Sequence, residues 1–333
     1  MTKEVNWHNR PYYSLDAYCK NTYGEKLYKI ALNAGLSCPN RDGTLDTRGC
    51  IFCSAGGSGD FAVTIHNAEK AALCEEASYD RTSSAIDEQL AAGKHLFYNK
   101  KVGNRYIAYF QAYTNTYGPI SYLRDIYNKA LSSDMVCGIS IATRPDCITD
   151  DVLTLLVDIR RKFPDKFVWV ELGLQTIHDK TAHFIRRGYD LSCFDTAVSS
   201  LYAIQIPVIV HVIIGLPGET ETEILQTIDY LNHSPIWGIK LQLLHVLKGT
   251  DLAALYRKGT VPVLSKERYI DILIHCLERL SPEIVIHRLT GDGPKELLLA
   301  PLWSLHKKDV LNYLHHEMKV RKTFQGRLYN PLP

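Results

Sequence analysis

Short apolar stretches alternate with longer amphipathic stretches along most of this 333-residue chain. The apolar stretches have the length of strands, and the stretches between them carry apolar residues at helical spacing. This alternation predicts parallel β-α-β units, and the near-continuous apolar strands fit a sheet that helices cover. The predicted strands are residues 27–32, 105–112, 135–142, 167–174, 208–214, 239–244 and 284–289. The predicted helices are residues 84–98, 119–131, 150–163, 191–204, 221–232 and 266–280, the third of them capped by Thr149.

The α/β pattern favours a full or partial barrel over a doubly wound sheet. No linker rich in Pro, Gly or Ser divides the chain, so we predict one core domain over residues 21–290. Residues 1–20 and 291–333 are interpreted as N-terminal and C-terminal extensions. In such folds, the residues that follow the carboxyl ends of the strands build the site. Polar residues occupy those positions here, namely 114–116, Arg144, Gln175 and 215–219.

Three cysteines, Cys38, Cys50 and Cys53, follow the first predicted strand. A structural zinc site normally has four protein ligands, whereas a [4Fe–4S] cluster held by three cysteines leaves one iron free to bind a small molecule. The spacing favours the cluster. Two alternatives stay open on spacing alone: a zinc site whose fourth ligand is His66 or Cys74, or a close cysteine pair beside an unrelated buried cysteine.

Composition limits the function classes. The formal net charge is only +2, so nucleic-acid binding would need a local basic patch rather than bulk charge. The chain lacks a run of the roughly 18–20 apolar residues that a membrane span requires, and its N-terminus lacks the apolar region of a secretory signal. Nine cysteines without an export signal suggest a reducing compartment, so we expect a cytoplasmic protein.

Several motifs together resemble the radical S-adenosylmethionine (SAM) superfamily, and within it the YhcC/YtqA-type subgroup that is related to the catalytic subunit of elongator. The segment Cys-Pro-Asn-Arg-Asp-Gly-Thr begins at Cys38, and Gly-Cys-Ile-Phe-Cys ends at Cys53. The other motifs are Gly24-Glu25-Lys26, Thr143-Arg-Pro-Asp146, Glu171-x-Gly173-x-Gln175-Thr176, Arg187-Gly188 and Gly215-Leu-Pro-Gly-Glu-Thr220. The resemblance covers about residues 10–325. The long spacing between the first two cysteines is typical of this subgroup.

The resemblance implies a partial (β/α)6 TIM-like barrel of the radical SAM type. It also implies that Cys38, Cys50 and Cys53 bind a [4Fe–4S] cluster whose free iron chelates SAM. Reductive cleavage of SAM then gives a 5′-deoxyadenosyl radical. A low-potential electron donor such as flavodoxin or ferredoxin is implied as a partner.

The resemblance also suggests SAM contacts at the strand ends. Thr114, Asn115 and Thr116 lie where the superfamily usually places a polar motif for the SAM amino group, although turn chemistry at a strand end explains them equally. Ser140 is a weaker candidate for the ribose. The backbone at Gly215 is expected to lie against adenine, or to form an ordinary strand-to-helix turn.

Three further polar side chains are candidates for the same ligand. Arg144 can pair with the SAM carboxylate in a bidentate fork, or with a neighbouring acid. Gln175 suits ribose hydroxyls or the carboxylate, or a contact to the next helix. Arg187 is a further candidate to pair with an anion, or part of a solvated charge pair.

The residues expected to face the substrate are less well defined. Lys240, Gln242 and His245 lie on or near one face of a predicted strand and are either substrate-facing or core residues. The motifs assign no catalytic side chain. The C-terminal segment is basic and contains aromatic residues, which is typical of RNA binding or of an exposed amphipathic helix. Its basic residues are Lys307, Lys308, Lys319, Arg321, Lys322 and Arg327.

The resemblance to elongator suggests a tRNA substrate. The expected reaction remodels the carbon-5 side chain of the wobble uridine, from the carboxymethylaminomethyl type to the aminomethyl type. One alternative is a radical SAM reaction on a small metabolite or a peptide. A second alternative is a zinc-stabilised nucleic-acid-binding protein without catalysis.

Overall fold

The structure is a computed structural model that describes residues 6–57, 77–97, 103–291 and 293–331, without the side chains of residues 77–84. Its core is a seven-stranded sheet. The strands in chain order are β1 (Tyr28–Leu32), β2 (Tyr106–Phe110), β3 (Val136–Thr143), β4 (Phe167–Gln175), β5 (Val208–Ile214), β6 (Gly238–Leu243), β7 (Val246–Leu247), β8 (Val285–Arg288) and β9 (Leu298–Ala300). Strands β7 and β9 lie outside the sheet and pair with each other in antiparallel fashion.

The order of the strands in the sheet follows their order in the chain, from β1 through β6 to β8. Every neighbouring pair is parallel. Because each right-handed crossover moves the sheet in the same direction, the helices cover one face and the sheet curls around the other. The predicted partial barrel is therefore confirmed, and the doubly wound alternative is not.

The helices connect the strands and cover the outer face of the sheet. They are α1 (Leu15–Tyr23), α2 (Ala77–His95), α3 (Ile120–Ser132), α4 (Asp150–Lys162), α5 (Asp179–Phe184), α6 (Leu191–Ala203), α7 (Glu221–Leu231), α8 (Asp251–Arg257), α9 (Lys266–Arg279) and α10 (Lys307–Val320). The main core packs apolar strand residues such as Ile139 against helix residues such as Leu155 and Phe194. Each large side chain buried in this way contributes about 1.5–3 kcal/mol. Within the described residues, every helix is too short or too polar to cross a membrane.

The predicted elements agree with the structure to within a few residues where the periodicity is long. Residues 208–214 form β5 as predicted, and the Thr149 side chain caps α4 by accepting a hydrogen bond from the Val152 N–H. The prediction missed α1, α5, α8 and the β7–β9 pair, and it gave α10 only as the amphipathic-helix alternative for the C-terminal segment. Helix α2 begins at Ala77, before the predicted residue 84. The predicted end of α2 at Tyr98, and the alternative zinc ligands His66 and Cys74, lie outside the described residues.

Aromatic side chains fill the amino end of the barrel. Phe167 and Trp169 of β4 stack with ring centroids 3.9 Å apart, and Trp169 contacts Trp237 at 4.6 Å. Tyr18 of α1 adds an edge contact to Trp237 at 4.8 Å. We call Tyr18, Phe167, Trp169 and Trp237 the aromatic layer. It separates the interior of the barrel from the surface at this end.

The two terminal segments meet at the outer edge of β8. Ser14 forms a parallel bridge with Ile286. The buried Gln325 amide donates to the carbonyls of Ser281 and Ile284, and its oxygen accepts from the Tyr13 N–H. These contacts cover an edge that would otherwise present unpaired backbone groups. The boundaries of the two extensions at residues 20 and 291 stay a prediction.

Candidate active site

A cavity of about 270 Å³ lies at the carboxyl ends of the strands. This is the end at which parallel α/β folds place their sites. The structure brings the three N-terminal cysteines into one wall of this cavity, together with several of the strand-end residues predicted from the sequence. The predicted residues that line it are Cys38, Cys50, Cys53, Thr114, Arg144, Gln175 and Arg187.

The loop that carries the cysteines is held by its own backbone. The N–H groups of Arg41 and Asp42 donate to the Cys38 carbonyl at 2.7 and 3.2 Å. The Gly49 N–H donates to the Asn40 carbonyl at 2.7 Å, with Gly49 at a φ of 75° that glycine adopts without strain. The Asn40 amide then donates to the Arg186 carbonyl at 2.8 Å and to the Cys50 sulfur at 3.6 Å. The loop therefore has one defined path against the segment that follows α5.

The environment of Cys50 favours its thiolate. A hydrogen bond from Cys53 and the positive charge of Arg144 lower the pKa of Cys50 to about 7. Thiolates are the form of cysteine that binds metals. Among the described residues, no three His, Cys, Asp or Glu side chains converge on a point that would hold a single metal ion. A cubane cluster differs in this respect, since each cysteine binds a separate iron.

Gln175 and Arg187, which both line the cavity, each have a polar side-chain atom without a partner in the described part of the chain. These are Oε1 of Gln175 and Nη2 of Arg187, both buried. Gln175 ends β4 at a φ of 68°, which is unusual for a residue with a side chain and is often found at functional sites. Nη1 of Arg187 donates to the carbonyls of Leu174 and Thr176, which fixes the guanidinium. A buried acceptor and a buried donor beside three cysteines fit a polar cofactor such as SAM together with a cluster.

The Arg144 guanidinium is already engaged. It forms a bidentate pair with Asp146 at 2.9 and 2.6 Å, and it donates to the Arg187 carbonyl at 3.0 Å. It also lies over the Tyr189 ring, 5.1 Å from the centroid. Arg144 therefore contributes a fixed positive charge to the cavity wall, while its fork pairs with the neighbouring acid.

The other predicted SAM contacts lie away from the cavity wall. The Asn115 amide donates to the carbonyls of Phe110 and Ala142, and Thr116 bonds to the Thr143 hydroxyl. These two side chains join the ends of β2 and β3, which is the turn chemistry considered above. Ser140 is buried deeper, and Gly215 begins the turn after β5 at a φ of 91°. Of the polar motif, Thr114 alone is among the residues that line the cavity.

Deeper in the barrel, strands β1 to β6 each contribute one polar side chain to a connected group. We call this group the polar belt; its members are Lys29, Tyr109, Ser140, Glu171, His211 and Lys240. Its centre is the Glu171 carboxylate, which has no exposed surface. Oε1 of Glu171 accepts from Lys29 at 2.5 Å and from Ser140 at 2.5 Å. Oε2 accepts from His211 at 2.7 Å and from Lys240.

The charges of the belt decide its protonation. Burial alone would raise the pKa of Glu171, but the charges of Lys240 and Lys29 outweigh it and hold that pKa well below its usual range. Burial, with the charge of Lys240, lowers the pKa of His211 to about 4. His211 is therefore neutral at pH 7. Since an ionised carboxylate only accepts hydrogen bonds, the imidazole proton lies on Nε2, which faces Glu171.

Neutral His211 makes stability depend on pH. In the unfolded chain its pKa is near 6.5, so between pH 6.5 and 4 the unfolded state binds the additional proton and the folded state loses stability. Going from pH 7 to pH 5, we expect this residue to reduce the free energy of unfolding by about 2 kcal/mol. Urea unfolding of the apoprotein at pH 7 and pH 5 should show a smaller decrease in the free energy of unfolding for His211→Gln than for wild type. The exposed-site control His316→Gln should keep the wild-type pH dependence, and an equal decrease in all three proteins would contradict the assignment.

Most members of the polar belt were not predicted from the sequence, although the four charged or ionisable members left a signal. Lys29, Glu171, His211 and Lys240 are isolated charged or ionisable residues in otherwise apolar strands. Of these, only Lys240 was predicted to face the interior. It lines the cavity, as do Gln242 and His245. A lone polar residue in a buried strand requires a partner, and the signal was that several strands carry one.

The C-terminal basic segment forms α10 and the turns after it. Part of its charge is neutralised by α9, because Arg321 pairs with Asp271 at 2.5 Å and Arg327 pairs with Glu278 at 2.7 Å. Helix α10 is thus the amphipathic helix that the sequence allowed, with its apolar side buried. Several basic side chains of the C-terminal segment remain exposed, namely Lys307, Lys308 and Lys319 on α10 and Lys322 after it.

Comparison with known proteins agrees with this geometry. A family model described as the Radical SAM superfamily matches residues 47–231, a segment that includes Cys50 and Cys53 and begins after Cys38. A second model, described as the Radical_SAM C-terminal domain, matches residues 236–320. Together the two models cover the sheet from β2 onwards and the whole of α10.

The chain is also similar to individual proteins. YtqA of Bacillus subtilis is 40% identical over 321 residues, which are 96% of this chain and 94% of YtqA. Elongator complex protein 3 of Schizosaccharomyces pombe is 21% identical over 318 residues, which are 85% of this chain and 57% of that protein. The solved structure of the archaeal Methanocaldococcus infernus Elp3 shares the fold, with a TM-score of 0.61 and 14% identity over 90% of this chain and 64% of that one.

The cysteine loop, the partial barrel and both family models indicate the same protein family. The chain therefore belongs to the radical SAM superfamily, in the subgroup of YtqA-type proteins related to elongator, and its cofactors are those of the superfamily, a [4Fe–4S] cluster and SAM.

Proposed function

We propose that this radical SAM enzyme remodels the carbon-5 side chain of the tRNA wobble uridine, from the carboxymethylaminomethyl type to the aminomethyl type. Hydrogen abstraction from the carbon between the nitrogen and the carboxylate would give a carbon radical, which would return one electron to the oxidised cluster and become an imine. Hydrolysis of that imine would break the C–N bond, release the two-carbon fragment as glyoxylate and leave the aminomethyl group. The main structural support is the cavity in which three cysteines, an unpaired Gln175 oxygen and a basic wall come together. The similarity to Elongator complex protein 3 supports the RNA substrate.

We assign cofactor roles to the residues that line the upper cavity. Cys38, Cys50 and Cys53 would each bind one iron of the cluster. Gln175 and Arg187 would bind the polar groups of SAM through the atoms that lack partners among the described residues. When bound, the cluster and SAM supply a 5′-deoxyadenosyl radical, which abstracts hydrogen from an unactivated C–H bond. A low-potential donor such as flavodoxin or ferredoxin would reduce the cluster.

The remaining predicted contacts support these residues rather than replace them. Thr114 lines the cavity and remains a direct candidate for the SAM amino group. Asn115, Thr116, Ser140 and Gly215 would act by fixing the strand ends and the turn after β5. Apolar side chains in the cavity lining, from Ile185, Ile213 and Leu243, limit the water that reaches the reacting atoms.

An RNA substrate has to present a single base to this cavity. The anticodon is a loop, and bases in loops are extruded at low cost. The exposed lysines of α10 lie on a helix that packs beside the barrel and would contact the phosphate backbone. The proposal therefore combines a basic surface for the loop with a cavity for one modified base.

The test is a reconstituted reaction under anaerobic conditions. Purified enzyme with cluster, SAM and dithionite is incubated with bulk tRNA from a strain that lacks the enzyme, and the nucleosides are then separated by chromatography. We expect carboxymethylaminomethyl-type uridine to decrease and aminomethyl-type uridine to appear. Formation of 5′-deoxyadenosine without any change in the nucleosides would instead favour a small-molecule or peptide substrate. If the purified protein contained zinc without sulfide and left SAM intact, the interpretation of the chain as an enzyme would have to be withdrawn.

A further inference from the structure

The polar belt has a hydrogen-bonding capacity that its own members leave unused. The Glu171 carboxylate accepts from four donors, two on each oxygen. A carboxylate has about four lone-pair sites, so Glu171 has no capacity left for a ligand. The Lys240 ammonium has three N–H groups, and the contacts that use them are with Glu171 and the Tyr109 hydroxyl at 3.0 Å. Within the part of the chain that the structure describes, one N–H of Lys240 therefore remains for a further acceptor.

The formal charges point to the same conclusion. Two lysines, Lys29 and Lys240, share the single carboxylate of Glu171, while His211 is neutral. Burial lowers the pKa of Lys240 well below its usual value despite the charge of Glu171, so a further anion beside Lys240 would favour its charged form. A buried cation without a counter-charge is costly. Glu171 is the one carboxylate among the described residues that line the cavity. Arg288 adds a further positive charge to the same lining, so a ligand with a negative charge would reduce the excess of positive charge around Lys240.

The cavity gives such a ligand access to Lys240 and not to Lys29. Lys240, Glu171, His211 and Tyr109 all line the cavity, whereas Lys29 is not among the lining residues. Along β4, Glu171 precedes Gln175 by four residues, or ~13 Å at about 3.3 Å per residue. Gly173 stands between them, and a Cβ there would approach the Gln175 amide to 2.9 Å. The belt therefore forms a floor that is separate from the cysteines and Gln175 at the rim.

We propose that Lys240 is a specificity-determining residue that binds a carboxylate of the substrate at the floor of the cavity. This inference rests on the proposed function, in which the substrate group ends in a carboxylate. An ammonium with one remaining N–H would hold that carboxylate while the neighbouring C–H bond lies closer to the rim. A side chain that ends in an amide or a neutral group would leave Lys240 without its counter-charge, and the site would reject it.

The main experiment measures binding to the anaerobic holoenzyme with SAM. The ligands are an anticodon hairpin with carboxymethylaminomethyluridine and the same hairpin with the carboxylate converted to a carboxamide. We expect wild type to bind the acid roughly 10- to 100-fold more tightly than the amide, since a hydrogen bond between charged groups is lost. Lys240→Met should bind the two hairpins alike. The control Lys162→Met changes an exposed residue at the opposite end of the barrel and should keep the wild-type preference.

The outcomes separate this inference from the proposed function. The acid–amide comparison on wild type remains decisive if Lys240→Met fails to fold, and equal binding by wild type overturns the inference. A lower SAM affinity in Lys240→Met with an unchanged acid preference also overturns it, since Lys240 would then belong to the SAM site. If the enzyme leaves tRNA unmodified, the proposed function fails, and the floor site is tested instead with free N-methylglycine and with N-methylglycine amide. We expect N-methylglycine, but not its amide, to raise the thermal stability of the wild-type holoenzyme, and we expect no such effect in Lys240→Met. This result would support the floor site independently of tRNA, whereas no stabilisation of wild type by N-methylglycine would overturn the inference.

Discussion

Replacing Cys38, Cys50 or Cys53 by alanine is expected to remove both the cluster and SAM cleavage. A cubane held by three cysteines has no spare ligand, so each replacement leaves one iron without its thiolate. The three residues line one cavity wall, and the loop that carries them is fixed by the hydrogen bonds around Asn40. After anaerobic reconstitution, iron and sulfide should fall from about four of each per chain to background, and 5′-deoxyadenosine should not form.

The matched control for the cysteine variants is Cys193→Ala, which changes a half-buried cysteine of α6 that does not line the cavity. We expect it to keep its iron, sulfide and SAM cleavage. Activity that persists in any one of the three loop variants would show that the cysteine in question is not a ligand. In that case the cluster would have to be held by another side chain of the chain.

Glu171→Gln is expected to cost about 3–5 kcal/mol of folding free energy, the largest effect on stability that the described residues suggest. The substitution keeps the shape but removes the charge that Lys29 and Lys240 share. The buried Lys240 and the partly buried Lys29 would then both lose their shared counter-charge. Urea unfolding of the apoprotein at pH 7 measures the effect.

The matched control is Glu267→Gln, where the carboxylate is exposed and lies 4.0 Å from Lys266. Surface ion pairs contribute about 0–1 kcal/mol, so we expect its unfolding curve to stay close to that of wild type. If Glu171→Gln were as stable as Glu267→Gln, the lysines of the belt would have to lose their protons on folding at little cost. The account of the belt as a charged group would then be wrong.

The sequence predicted the fold well because strand and helix periods are local signals. Long apolar runs such as 208–214 identified the parallel strands, and Thr149 identified a helix start. The cysteine loop was identified by its spacing and by the family resemblance. Short elements such as α5 and the β7–β9 pair carry too few residues for a period to be visible.

The side-chain partners in the site were harder to predict, since they depend on register between strands. Arg144 pairs with an acid only two residues away, and the sequence alone could not decide between that acid and a ligand. Asn115 and Thr116 turned out to bond the strand ends, and the Thr116 hydroxyl reaches the carbonyl of Cys147. The polar belt joins residues from β1 to β6, so no single segment of sequence contains its pattern.

The aromatic layer has a kinetic consequence. Because stacked rings such as Phe167 and Trp169 fill the amino end of the barrel, traffic through that end is barred. The substrate, SAM and all products then enter and leave through the same opening at the carboxyl ends of the strands. A cavity with a single opening imposes an order on turnover. The substrate group that reaches the floor has to enter before SAM covers the opening, and the products of SAM cleavage have to leave before the next substrate group enters.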